Sequence, residues 1–101
     1  MTIYMTASFQ VQPEARASCE RVIREFVEYV RLNEPRTRLY TSVQETADST
    51  RFLHFFIFED EAAREVHSNS DAVNRFTEAL YPACVAPVEF TEYRLVATTA
   101  D

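Results

Sequence analysis

Glycine, lysine and tryptophan are all missing from this chain, and cysteine occurs only twice. Each absence excludes something. A loop that wraps a phosphate needs glycine so that its backbone can approach the anion closely, so P-loop and Rossmann nucleotide chemistry is excluded. Cys19 and Cys84 are too few for the disulfide framework of a small secreted scaffold. They read as buried thiols behaving as small hydrophobes. No stretch has the basic start and apolar run of a signal peptide or the ~20 apolar residues of a membrane span, so a cytoplasmic protein with no membrane contact is expected. The net charge of −6 argues against nucleic acid as a partner. The two histidines, His54 and His67, have no third ligand at metal-binding spacing, so no metal is expected.

What is present is a core. Hydrophobic residues make up 47% of the 101, enough for one domain over 1–101 that buries about two-thirds of its unfolded surface. The densest segment is Phe52 to Phe58, seven consecutive apolar, aromatic or histidine residues. A strand of this composition is apolar on both faces and needs cover on both. The pattern then switches: Asp60 can cap a helix, Glu61 suits its first turn, and Ala62 and Ala63 propagate it to His67. Glu59, Asp60 and Glu61 fit capping better than metal binding, since consecutive residues at a turn do not converge.

Alternation of apolar and polar residues predicts a strand over Ile3 to Val11 and another over Thr37 to Glu45. Between them a helix opens at Pro13-Glu14, repeats apolar residues at Cys19, Val22, Ile23, Phe26 and Val30, and stops before Pro35. Thr46 to Thr50 reads as the hairpin loop into the aromatic strand. Ser70 or Asp71 caps a further helix carrying Ala72, Val73, Phe76 and Leu80 on one face, and Val88 to Ala97 reads as a last strand. The order βαββαβ implies a ferredoxin-like α+β fold, a four-stranded antiparallel sheet with all helices on one side. That leaves an apolar sheet face bare, which soluble proteins avoid. A homodimer closed sheet to sheet follows as the expectation.

Several pieces of the chain resemble the antibiotic biosynthesis monooxygenase family, dimeric α+β barrels that include quinol monooxygenases. They are the Phe9 to Glu14 strand–helix junction, Asn33-Glu34-Pro35 with Leu39-Tyr40, Asp60 to Ala63 leading to His67, Phe76, and Pro87-Val88-Glu89 with Tyr93. The positions where haem-degrading relatives carry asparagine, tryptophan and histidine hold Ala7, His67 and Thr77 here, which implies no haem. The resemblance implies a cofactor-independent monooxygenase that oxidises a small aromatic hydroquinone or phenol with dioxygen.

On that reading His67 is the catalytic base, because imidazole titrates near neutrality and can take a phenolic proton. Tyr40 or Arg94 would stabilise the oxyanion, and His54, Phe58, Phe76 and Tyr81 would contact the substrate. For each the plainer alternative is structural: a satisfied buried histidine, an amphipathic tyrosine, a core phenylalanine. If the face of His54 meets the partner, that residue is interfacial. Two other functions stay open, a dimer that binds a small apolar molecule without turnover, and an isomerase or degradative enzyme acting on a small carbonyl compound.

Overall fold

The computed structural model describes residues 1–100. Strand β1 runs Ile3–Gln10 and a short 3-10 turn at Pro13–Ala15 leads into helix α1, Arg16–Asn33. Strands β2, Thr37–Gln44, and β3, Arg51–Phe58, form a hairpin. Helices α2, Glu61–Ser68, and α3, Asp71–Leu80, follow, and β4, Glu89–Tyr93, closes the sheet. The four strands lie in the order β2-β3-β1-β4, every pair antiparallel, which is the ferredoxin-like α+β arrangement that the element order implies.

The elements form for local reasons. Pro13 pre-sets the φ of a first helical turn. Helix α1 ends at Asn33 because Pro35 disfavours helical geometry in Glu34, whose φ and ψ are −124° and 74°. Asp60 caps α2 by accepting from the Ala63 amide at 2.9 Å, and Ser70 caps α3 by accepting from the Val73 amide at 3.1 Å. Arg36 pairs with Glu59 and Asp60, so the acidic run at the start of α2 is a capped and ion-paired turn.

Strand parity divides the sheet. Phe52, His54, Phe56 and Phe58 are all buried, and with Phe9 and Ala7 of β1 they face the helices. There Phe9 and Phe52 join Ile23, Phe26, Phe76 and Leu80 in one core cluster. Leu53, Phe55 and Ile57 point the other way, beside Leu39, Thr41 and Val43 of β2. No helix covers that face among the described residues, and Leu39, Val43 and Leu53 are exposed. The conditional interfacial placement of His54 is thereby corrected: it is 1% exposed, on the helix side.

Strand β4 is shorter than the alternation of Val88 to Ala97 suggests. Its last pair is Tyr93 with Tyr4, one residue from the start of β1, so there is almost no strand left to pair with. A 3-10 turn at Tyr81–Ala83 leads into the link bracketed by Pro82 and Pro87, where Cys84 bridges to Val11. Cys19 is buried and Cys84 half-buried, both free thiols. Among the described residues no helix is long and apolar enough to cross a membrane.

The cap at Ser70 is an accessible test of how α3 is held. Ser70→Ala should lower unfolding stability by about 1 kcal/mol, and Ser70→Asp should leave it nearly unchanged. Urea titration of the three proteins measures both.

Candidate functional site

Between the helices and the covered face of the sheet lies a cavity of about 250 Å³. Its floor is Phe56 stacked on Tyr40, with ring centroids 5.0 Å apart and planes at 11°. Helix α2 supplies one wall with His67, α3 another with Phe76, and α1 reaches in with Phe26. Tyr40, His54, Phe58, His67, Phe76 and Tyr81, all assigned to the site from sequence, line this one space.

Arg94 does not. It follows the last residue of β4, is exposed, and lies apart from the cavity lining. Alternation would carry it to the helix side with Glu92, but Tyr93 is the last paired residue of the strand. The arginine at the cavity is Arg64 on α2. It binds Glu61 at 2.6 Å and reaches across to Glu92 of β4 at 2.9 Å, with Met5 sulfur 3.6 Å away. The signal for it was present in the sequence: Arg64 precedes His67 by three residues, and residues at that spacing share a helix face.

Helical phase turns His67 inward, because Ala63, four residues earlier, is buried as well. His67 is 9% exposed. Its ring lies 5.2 Å from that of Phe58 and 5.7 Å from that of Phe26. Nδ1 sits 2.8 Å from Oε1 of Glu34, a residue 5% exposed at the C-terminal end of α1. Thr37 donates to the same oxygen at 2.9 Å. A carboxylate can only accept, so an imidazole proton lies on Nδ1, and Nε2 is the ring nitrogen turned away from Glu34. Glu34 was legible in sequence as a helix terminator, and its buried partnership was not. Oε2 of Glu34 is buried without a protein partner.

A second pair lies beside the first. Tyr40 Oη is 2.8 Å from His54 Nδ1. Burial pushes the Tyr40 hydroxyl well above the usual phenol range, with the charges of Glu34 and then Tyr81 adding to it, so Tyr40 stays a neutral phenol. Burial pulls His54 down to about 4, so its ring is neutral at physiological pH. No group of three histidine, cysteine or acidic side chains is placed to hold a metal ion among the described residues.

This geometry offers an imidazole oriented by a carboxylate, a neutral polar pair and aromatic faces around one cavity, which suits proton removal from a flat ring. The model of the family described as antibiotic biosynthesis monooxygenase matches residues 2–79, and the chain belongs to that family. Solved structures share the fold at low identity. A protein from Caulobacter crescentus CB15 is 20% identical with a TM-score of 0.88, over 95% of this chain and 91% of its own. One named an antibiotic biosynthesis monooxygenase is 22% identical with a TM-score of 0.88, over 96% and 100%. Rv0793 from Mycobacterium tuberculosis is 16% identical with a TM-score of 0.89, over 99% and 100%. No curated protein matches the chain.

The depressed His54 predicts an acid limb of stability. Unfolded histidine takes up its proton near 6.5 and folded His54 only near 4, so between those values the unfolded chain binds more protons. Stability should therefore fall as pH drops from 6.5 towards 4, by on the order of 3 kcal/mol at about 1.4 kcal/mol per pH unit. Chemical denaturation across that range measures it, and His54→Asn should flatten the limb.

Proposed function

We propose that this protein is a monooxygenase that oxidises a small aromatic hydroquinone or phenol with dioxygen. The observation that carries the reading is His67, its Nδ1 held by Glu34, on the wall of an aromatic cavity in a chain of the monooxygenase family. Nε2 of His67 takes a phenolic proton. The anionic ring is electron-rich enough to pass an electron to dioxygen, and recombination forms a carbon–oxygen bond. For a hydroquinone the balance is substrate plus dioxygen giving a hydroxyquinone and water, with one oxygen atom in each product. All the electrons come from the substrate, so neither flavin, haem nor metal is required.

His67→Ala should lower oxygen uptake with a responsive hydroquinone by about a hundredfold or more, the usual worth of a general base. His67→Gln should recover thermal stability without recovering the rate. An electrode and a melting curve on each variant separate catalysis from folding. If both variants lose activity only in proportion to the folded fraction, the histidine is structural.

The same His67–Glu34 pair also suits proton transfer on a small carbonyl compound. Deuterium exchange into substrate without oxygen consumption would favour that isomerase reading, and binding without either reaction would favour a ligand-binding dimer.

We infer a homodimer assembled through the uncovered sheet face, where Leu39, Val43 and Leu53 stand exposed beside Phe55 and Ile57. The free thiols of Cys19 and Cys84 suit a reducing cytoplasm. An obligate interface of this kind buries on the order of 2,000 Å². Sedimentation at micromolar concentration should give a dimer, and Leu53→Glu with Phe55→Glu should give a monomer.

A further inference from the structure

A hydroquinone has two oxygens, and His67 accounts for one. Tyr40 is the evident partner for the other, but it has a single proton and its hydroxyl is already engaged with His54 Nδ1 at 2.8 Å. What remains unpaired is the far nitrogen of His54. This residue lines the cavity and is 1% exposed, and its Nε2 is buried with no hydrogen-bond partner. Native structures rarely leave a buried polar atom unpaired, and each such atom asks for a reason.

The two histidines bracket the aromatic floor. On β3, His54 lies two residues before Phe56, and successive strand residues are about 3.3 Å apart. His67 sits at the other end, 5.2 Å from Phe58 and 6.1 Å from Phe56 between ring centroids. The Tyr40 ring lies between them, 5.3 Å from His54 and 5.8 Å from His67. Around His54 the nearest rings are Phe9 and Tyr40, with Phe76 stacked at 6.1 Å. Ala7 and Ser42 pair with it across the sheet. Tyr40 is the titratable group in contact with it, and no ion pair involves it among the described residues.

We propose that His54 donates a hydrogen bond from Nε2 to the second oxygen of the ligand, and that Tyr40, donating to Nδ1, is the positioning residue that keeps the proton on Nε2. The cavity therefore selects a ring with oxygens at opposite ends, a 1,4-dihydroxy aromatic, over its monohydroxy analogue. At about 250 Å³ it suits one or two fused rings, below the range of about 300–1,000 Å³ that drug-sized ligands occupy. This inference rests on the reading of the cavity as an aromatic substrate site. Burial keeps His54 neutral, as a donor with a fixed tautomer must be. Its Nε2 has no exposed surface in the empty cavity, so a ligand reaches it by parting the surrounding rings.

The test uses 1,4-dihydroxynaphthalene and 1-naphthol as probes, titrated anaerobically by calorimetry into the wild-type protein and its variants. Wild type should bind the diol about tenfold more tightly or better, since a site built to pair an oxygen penalises a ligand that lacks it. His54→Phe should lose the preference, bringing the ratio of its two affinities close to one. Tyr40→Phe should weaken the preference by freeing the tautomer. In ¹⁵N-histidine spectra His54 should carry its proton on Nε2, and that nitrogen should shift on adding the diol. This readout needs no variant, so it holds even if His54→Phe fails to fold. An undiminished preference in His54→Phe, or an Nε2 signal that ignores the diol, would show that His54 only packs against Phe9, and would overturn the inference. Oxygen uptake on the same samples in air keeps the two readings apart. Discrimination without uptake overturns the monooxygenase and leaves this inference standing; uptake with discrimination independent of His54 does the reverse. A wild type that binds neither probe overturns both.

Discussion

A carboxylate cannot stay buried at the end of a helix without a partner, because losing water costs it far more than packing returns. Glu34 is such a group, 5% exposed at the point where Pro35 ends α1. His67 of α2 and Thr37 of β2 both donate to it. One carboxylate thus ties together the end of the first helix, the start of the second strand and the last turn of the second helix. Removing His67 would leave a charge stranded in the core, and removing Glu34 would free the imidazole to turn. The placement of His67 on the cavity wall and the direction of its ring are consequences of the same pair.

The electrostatics of the cavity follow from what surrounds that pair. Tyr40 and His54 are held neutral by burial, and the Glu34 charge further disfavours a phenolate. Beside the buried Glu34, the charged side chain at the lining is Arg64, already neutralised by Glu61 and Glu92. A flat, neutral ring is therefore a better guest than a multiply charged one. The aromatic floor of Tyr40 and Phe56 supplies a face for it. On the opposite face of the sheet the Leu53, Phe55 and Ile57 row of β3 lies between Leu39, Thr41 and Val43 of β2 and Tyr4, Thr6 and Ser8 of β1. The two faces of one strand thus differ: β3 lines the cavity on one and presents an uncovered apolar row on the other.

How much of this could be read before the fold was known varies with the range of the interaction. The alternation in β1 and β2, the 3.6-residue period of α1 and the caps at Asp60 and Ser70 depend on neighbours in sequence, and they lie where the pattern put them. His67 was legible for the same reason, since helical phase turned it inward with Ala63. Tyr40 and His54 were recognisable as candidates, but strand alternation could not say which face of a doubly apolar strand met the helices. Arg94 was misplaced because alternation does not reveal where pairing stops, and β1 offers almost nothing beyond Tyr4 for β4 to pair with.

The amino-acid sequence by itself determined the elements, their order, and that no loop contains the glycine a phosphate-wrapping backbone uses. It determined them because secondary structure and backbone approach are local properties of the chain. Only the tertiary structure decided that Glu34 is the partner of His67, 33 residues away, and that His54 Nε2 is left without one. A glutamate before a proline reads as a stop signal; whether its carboxylate faces water or a histidine depends on how α2 docks. That docking sums many weak contacts between distant segments, which no periodicity in the chain records.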